Sequence, residues 1–450
     1  MRTDVPAQKS QHGVSTRAEG TTTARRRNAA LGARLRTIGL TAGAVIGLTV
    51  AQLFYQAGAP SYRTVWAEDG QVYFYDATHK GLSAVATPYA GYLQVLTRMV
   101  AIPATWVPVG SVALYLAVAA ALCASLAAVS LYWLADQAIP SRLLRAALVF
   151  AVALHPVLAL ENMANITNVI WVLAFAVFWA LLRQPRTTGA VVLGVVVAFL
   201  GAASTTLTVL YLPVAAYVLW ARRDRRTQVV VGAYGLGLGL QGITYLTTSQ
   251  THETTSNLHL PTLYAARVLG SVAVGDHWAA QLWASGQRAH LFPFVALVVV
   301  LLGGLLAVTR GRALYLGATC IAYSVITFVV PLIVRGVVGL VQLANRWNSN
   351  GTRYDVLGVL FVIAAVLVLL SNARIGARAR QVLSALVVLQ LAVVVGFAYH
   401  HTNGRSAGPE WQPRLAAART QCRARHLTTV TVPITPGGVF VVPLSCADLE

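Results

Sequence analysis

Two adjacent carboxylates, Glu68 and Asp69, stand in a stretch that reads Trp66-Ala67-Glu68-Asp69-Gly70. Neighbouring like charges raise each other's cost of ionisation, so a carboxyl group here can act as a general base toward a hydroxyl or bind a divalent cation. Rings crowd the pair: Trp66, Tyr73 and Tyr75, then Tyr89 and Tyr92 in Pro88-Tyr89-Ala90-Gly91-Tyr92. Apolar sugar faces stack on rings while sugar hydroxyls bond to carboxylates, so the stretch suits a sugar. Plainer readings stand beside this one. Either acid can cap a helix beginning near Gly70, and the rings can belong to an interfacial belt.

A second group follows His155-Pro156: Glu161, then Asn162, Asn165, Asn168 and Trp171 at three-residue steps. On a helix the last four would share roughly one face. Amides at membrane depth cost free energy unless they are bonded, so such a stripe marks a wet cavity or a helix-to-helix contact. A third group comprises Arg335, Arg346-Trp347 and Arg353-Tyr354-Asp355. Guanidinium forks hold phosphate oxygens bidentately, and a lipid phosphate head group would supply them. The alternative is an ion pair from Arg353 to Asp69 or Asp355. No C-x-x-C or H-E-x-x-H metal spacing occurs, and Cys123 and Cys320 fall in apolar runs as inert thiols.

The elements that must position these groups are apolar. Of 450 residues, 57% are hydrophobic and only 11% charged, against about 25% charged in soluble domains. That excludes an ordinary cytosolic enzyme, a disordered chain and a disulfide-rich secreted module. Repeated long apolar runs predict an all-α polytopic membrane protein. We place eleven spans, at about 37–57, 110–135, 144–160, 167–183, 187–203, 205–221, 227–247, 291–309, 313–334, 355–371 and 381–399. Residues 1–36 read as a disordered basic tail facing the anionic inner leaflet. Residues 37–399 form the membrane domain, with outer loops 58–109, 248–290 and 335–354. The loop 248–290 reads as a lid or wall in which 264–274 is an amphipathic helix on the membrane. Residues 400–450 form a small external α/β tail. It has a helix near 411–425 and a hairpin around Thr435-Pro436-Gly437-Gly438, flanked by Cys422 and Cys446, which an oxidising compartment would join.

The formal net charge of +20 comes from 34 basic and 14 acidic residues. Membrane sorting, not a nucleic-acid partner, accounts for it. With the N-terminus inside, the tail and the short inner connections hold 21 of the 34 basic residues. This predicts a plasma-membrane protein with a cytoplasmic N-terminus and an extracytoplasmic C-terminus. Ten of the fourteen acids fall on the outer side, so the side chains able to do chemistry gather there.

With these residues the chain resembles the GT-C superfamily of integral-membrane glycosyltransferases, which carry an acidic catalytic residue in a long first outer loop. The stretches 66–70 and 88–92, the Asn-rich segment after His155 and Arg353-Tyr354 before a late span also resemble a group of actinobacterial membrane proteins. The resemblance implies a polyprenyl-phosphate-linked sugar as donor and a cell-envelope glycan or lipid as acceptor. It makes Asp69 the base, with Glu68 as second candidate or cation ligand. Arg353 with Arg346 or Arg335 would hold the donor phosphate, and Tyr354 would bond to it. Trp66, Tyr89, Tyr92, His155, Asn162, Asn165 and Trp171 would line the cavity. It implies no cofactor beyond a divalent cation. Two other classes compete: a lipid or solute transporter, marked by ionisable residues within spans, and a non-catalytic envelope-assembly scaffold, whose outer polar residues would be solvated rather than convergent.

Overall fold

The computed structural model describes residues 16–159, 161, 163–249, 259–335, 352–403 and 405–449. The chain falls into two units, residues 1–47 and 48–450. The first helix, α1 (Thr16–Leu53), runs through both. It corrects the expectation of a disordered tail for residues 16–36. These residues are rich in Ala and Arg and lack Pro, so helix propensity carries the apolar span backwards into them.

After the first loop, which contains the short helix α2 (Val95–Ala101), come α3 (Val112–Leu134), α4 (Arg142–Leu154), α5 (Val169–Leu182), α6 (Thr188–Ala202), α7 (Leu212–Ala221) and α8 (Arg225–Thr247). Next are the helical segment α9 (Leu260–Val274), α10 (Asp276–Ala284), α11 (Arg288–Val308), α12 (Arg312–Arg335), α13 (Asp355–Asn372) and α14 (Ala377–Ala398). Each of the eleven expected segments is helical over most of its length. Among the described residues, seven are long and apolar enough to cross a membrane: the C-terminal part of α1, then α3, α8, α11, α12, α13 and α14. The helices α4 to α7 are shorter than the roughly 20 residues a lone crossing requires.

Two helices form the centre. α5 is buried from Val169 to Leu181 and α13 from Asp355 to Leu370. A helix apolar all round belongs in the interior. Ring edges lock the pair: Phe361 packs against Phe175 and Phe178 at 5.0 and 4.9 Å between centroids. α12 runs antiparallel to α13, since Ser324 Oγ donates to the Gly358 carbonyl at 2.7 Å while Gly317 lies against Leu369.

α9 departs from the amphipathic surface helix expected of it. Ala266 to Gly270 are buried, and Arg267 donates to Asp355 at 2.9 Å with both side chains fully enclosed. A buried charge needs a partner, and this one draws the helix into the protein as a wall.

The C-terminal segment has α15 (Trp411–Arg425), β1 (Thr429–Pro433) and β2 (Val441–Ser445). The strands pair antiparallel with Val432 opposite Val442. A Cys422–Cys446 disulfide joins helix to hairpin, with Cα atoms 5.8 Å apart. Trp411, Leu415, Val432, Ile434 and Val442 share one core with Tyr73, Phe74 and Ile102 of the first loop. The Thr435 N–H donates to the Val65 carbonyl at 3.0 Å, and the Ala67 N–H to the Thr435 carbonyl at 2.5 Å. Gly70 is required there: a Cβ would meet Val442, Val65 and Ile434 within 2.9 Å. The tail thus fixes the backbone on both sides of Glu68 and Asp69.

Candidate functional site

The two acids open a π-helical turn, Asp69–Phe74, that leads into the helix Tyr75–Lys80. They point to different surroundings. Asp69 is 1% exposed. Its Oδ2 accepts from the Ile166 N–H and its Oδ1 from the Thr167 N–H, both at 2.9 Å, and the Thr167 hydroxyl also donates to Oδ1. Burial pushes its carboxyl up to about 6, opposed by these bonds and by the nearby Arg405. Expected to face the reactants, Asp69 instead clamps the first loop to residues 166–167. Neither acid caps the turn: Glu68 holds the N-cap position without a capping bond.

Arg405 completes the clamp. Its Nε donates to Thr64 Oγ1 at 3.1 Å, its Nη1 to the carbonyls of Met163 (3.1 Å) and Ala164 (3.3 Å), and its Nη2 to those of Ser61 (3.2 Å) and Thr64 (3.4 Å). The guanidinium carbon lies 5.5 Å from the centroid of the Trp66 ring. Trp66 is therefore buried rather than a belt residue. Burial pulls the Arg405 pKa down to about 10, opposed by Asp69, so it stays charged at neutral pH. The bonds also hold Ala164 at φ +49°, a left-handed conformation costly for a non-glycine residue. Sequence reasoning missed Arg405. Charge sorting flags any outer arginine, but nothing in its spacing sets it apart from the others in the tail.

Residues 163–168 are a compact turn, not the start of a helix, so Asn165 and Asn168 do not lie on a helical face. Asn165 Nδ2 donates to the Glu161 carbonyl, as does Asn168 Nδ2 at 2.6 Å, and the Asn168 N–H donates to Asn165 Oδ1 at 3.0 Å. Asn side chains compete for backbone groups in this way and favour turns over helix interiors. Trp171 Nε1 donates to Asn168 Oδ1 at 3.1 Å. His155 is buried, its Nδ1 accepting from the Val157 N–H at 3.3 Å to cap the turn Pro156–Leu158. Asn162 and Arg346 lie outside the described residues, as does the side chain of Arg335.

The Asn-built turn presents Glu161, 5% exposed, to the start of α13. Its Oε2 accepts from the Arg353 N–H at 2.9 Å and from the Thr352 hydroxyl at 3.3 Å, and its Oε1 lies 4.0 Å from Arg353 Nη1. The partner of Arg353 is thus Glu161, neither Asp69 nor Asp355. The Arg353 guanidinium carbon lies 5.4 Å from the Tyr354 ring centroid, and the Tyr354 ring meets Trp171 edge-on at 5.4 Å. α5 and α13 both begin here, so their positive ends add to the guanidinium.

Glu68 is half-buried and makes no hydrogen bond or ion pair among the described residues. Arg353 and Tyr73 both feel its charge. Tyr73 meets Tyr89 edge-on at 5.8 Å. Tyr89 and Tyr92 close a tight turn by exchanging backbone bonds of 2.9 and 3.2 Å, and the Tyr92 hydroxyl accepts from Gln94 Nε2 at 3.0 Å. The arrangement can hold an anion at Arg353 and take a proton at Glu68. Among the described residues no group of three or more His, Cys, Asp or Glu is placed to hold a metal ion. Comparison with known proteins finds no matching family model, no similar curated protein and no similar solved structure.

Proposed function

We propose that the chain is an integral-membrane glycosyltransferase of GT-C type with eleven crossings. It moves a sugar from a polyprenyl-phosphate donor to a cell-envelope acceptor on the extracytoplasmic face. One observation carries this reading: Glu68, a half-buried carboxylate without a hydrogen bond or ion pair among the described residues, bears electrostatically on both Arg353, at the start of a buried helix, and Tyr73.

In the reaction the acceptor oxygen attacks the anomeric carbon. The bond from that carbon to the donor phosphate oxygen breaks, and its electron pair leaves with the phosphate. The acceptor proton passes to Glu68. One displacement inverts the anomeric centre. Arg353 and the backbone N–H groups at the start of α13 stabilise the phosphate charge as it develops, the kind of electrostatic term that dominates many enzymes. A polyprenyl phosphate leaves as a stable anion and needs no acid. Glu161 holds the anion position at Thr352 and Arg353, and the donor phosphate would exchange with it there. Asp69 and Arg405 act as positioning residues, holding the loop that carries Glu68. Trp171 and Tyr354 line the phosphate side, Tyr89 and Tyr92 the acceptor side.

The test is transfer of labelled sugar from polyprenyl-phosphate donors to envelope material by membranes holding the full chain. Glu68→Gln should lower transfer by roughly 10²–10⁴-fold, the usual contribution of a general base. Arg353→Gln should also abolish it. Transfer by Glu68→Gln at the wild-type rate would remove the assigned base. A wild-type chain that transfers nothing from any such donor would remove the activity itself.

A further inference from the structure

Among the described residues, four buried polar atoms have no hydrogen-bond partner: the Tyr73 hydroxyl, Gln94 Oε1, and Arg98 Nε and Nη2. All three side chains are at least nine-tenths buried. They stand together. Arg98 lies with its guanidinium carbon 5.2 Å from the Tyr73 ring centroid. Gln94 stands immediately before α2 and Arg98 lies in it, the Arg98 N–H donating to the Gln94 carbonyl at 3.0 Å. Gln94 donates to the Tyr92 hydroxyl, and both Tyr92 and Glu68 bear on Tyr73 electrostatically.

Each unpaired group of this kind carries a desolvation cost of about 1–3 kcal/mol. Folded proteins rarely leave so many in one place without a use. The pattern states what is missing. Arg98 spends Nη1 on Asp76 at 2.9 Å, and Asp76 also pairs with Lys80 at 2.8 Å. Two cations thus share one carboxylate, while the side-on fork of Arg98, Nε with Nη2, stays unused. That fork seeks two adjacent acceptor oxygens. Gln94 Oε1 seeks a donor. A phosphate or a carboxylate offers only acceptors. Neighbouring hydroxyls of a neutral sugar offer both, and the Tyr73 hydroxyl can give or take with either.

Building on the transferase reading, we infer that Tyr73, Gln94 and Arg98 form the acceptor subsite, which takes a neutral sugar ring through two neighbouring hydroxyls and presents a third to Glu68. The acceptor is then a glycan rather than a simple lipid alcohol. Tyr89 and Tyr92, which are partly exposed, provide the way in. Their turn passes through Ala90 and Gly91 at φ +51° and +84°, and entry of the ring requires it to open.

The test uses the purified full chain in lipid nanodiscs, titrated with neutral methyl glycosides and, in parallel, with methyl glucuronide. Saturable millimolar binding of a neutral glycoside is expected, with the glucuronide no tighter. Tyr73→Phe and Gln94→Leu should each weaken it about tenfold, the loss of one hydrogen bond. Tyr73→Phe separates this from a structural role. Removing a hydroxyl that bonds to nothing should leave the melting temperature unchanged or raise it, so weakened binding in a chain of full stability is the expected signature. Wild-type affinity in both variants, preference for the glucuronide, or no saturable binding by the wild-type chain would each overturn the subsite. Binding that depends on Tyr73 and Gln94, in a chain that transfers no sugar, keeps the subsite and removes the transferase. Transfer that depends on Glu68, with binding indifferent to Tyr73 and Gln94, does the reverse.

Discussion

Asp69 and Glu68 show how one residue step along a π-helical turn separates two roles. Asp69 meets three donors and lies near the enclosed Arg405, while Glu68 makes no hydrogen bond or ion pair among the described residues. Asn at position 69 would turn an amide toward the Ile166 or Thr167 N–H, leaving a buried donor unsatisfied at a cost of about 1–3 kcal/mol. The pH dependence has a definite sign. The folded carboxyl titrates near 6, above its ordinary value of 3.8, so between those values the folded chain binds more protons than the unfolded one. Its contribution therefore favours folding below pH 3.8, declines as pH rises to about 6, and stays level above that. Subtracting the Asp69→Asn unfolding profile from that of the wild-type chain isolates this term. A difference that grows with pH across the interval would show that the carboxylate is favoured by its bonds more than it is opposed by burial. Arg405→Lys should cost about 3 kcal/mol or more, because the carbonyls of Ser61, Thr64, Met163 and Ala164 lose their shared donor together. Thermal unfolding in detergent measures it, and an unchanged midpoint would deny Arg405 its organising part.

At the scale of elements, apolar runs located every long helix, because burial in lipid or protein demands a continuous stretch of such residues. The disulfide and the hairpin of the tail were legible for a similar reason, since period-two alternation and Gly-Pro punctuation are local signals. What spacing could not reveal was the state of 163–168. Its three-residue steps fit a helix, yet Asn side chains took the backbone groups a helix would have used. The partner of Arg353 was hidden for another reason. Glu161 is 192 residues distant and becomes a neighbour only because α5 and α13 pack side by side. The disulfide closes a separation of 24 residues, which corresponds to about 3 kcal/mol of loop entropy. Reduction should raise hydrogen exchange across 411–449 and at Ala67, whose N–H donates to the Thr435 carbonyl, while leaving α5 and α13 protected. It should also slow transfer, since the strand that steadies Glu68 is loosened. Exchange that rises equally in the two central helices would show that the tail is no separate strap.

On the scale of the whole molecule, the segments that charge sorting assigns to the inner side are bonded to one another at one end of the bundle. Arg183 holds Asp136 at 3.0 Å, Ser141 meets Ser371, Asn372 donates to the Ala138 carbonyl, and the Arg374 N–H donates to the Val308 carbonyl. Glu68, Glu161, Arg353 and Arg405 all belong to segments at the opposite ends of the same helices. The short helices fit this arrangement because they need not reach across lipid unaided. At 1.5 Å per residue α12 is about 36 Å long and α13 about 27 Å. With Ser324 against Gly358, α12 runs on for roughly 12 Å past the start of α13. Eleven crossings then require that positions 184 and 223 face the cytoplasm and position 82 the outside. Single cysteines placed by Gln184→Cys and Arg223→Cys should react with a membrane-impermeant maleimide only after the cells are opened, and Leu82→Cys should react in intact cells. All three residues are exposed in the structure, so silence cannot be blamed on burial. Labelling of 184 or 223 in intact cells would mean that α4 to α7 do not alternate as crossings. Protection of 82 would turn the site toward the cytoplasm and away from any polyprenyl donor on the outer leaflet.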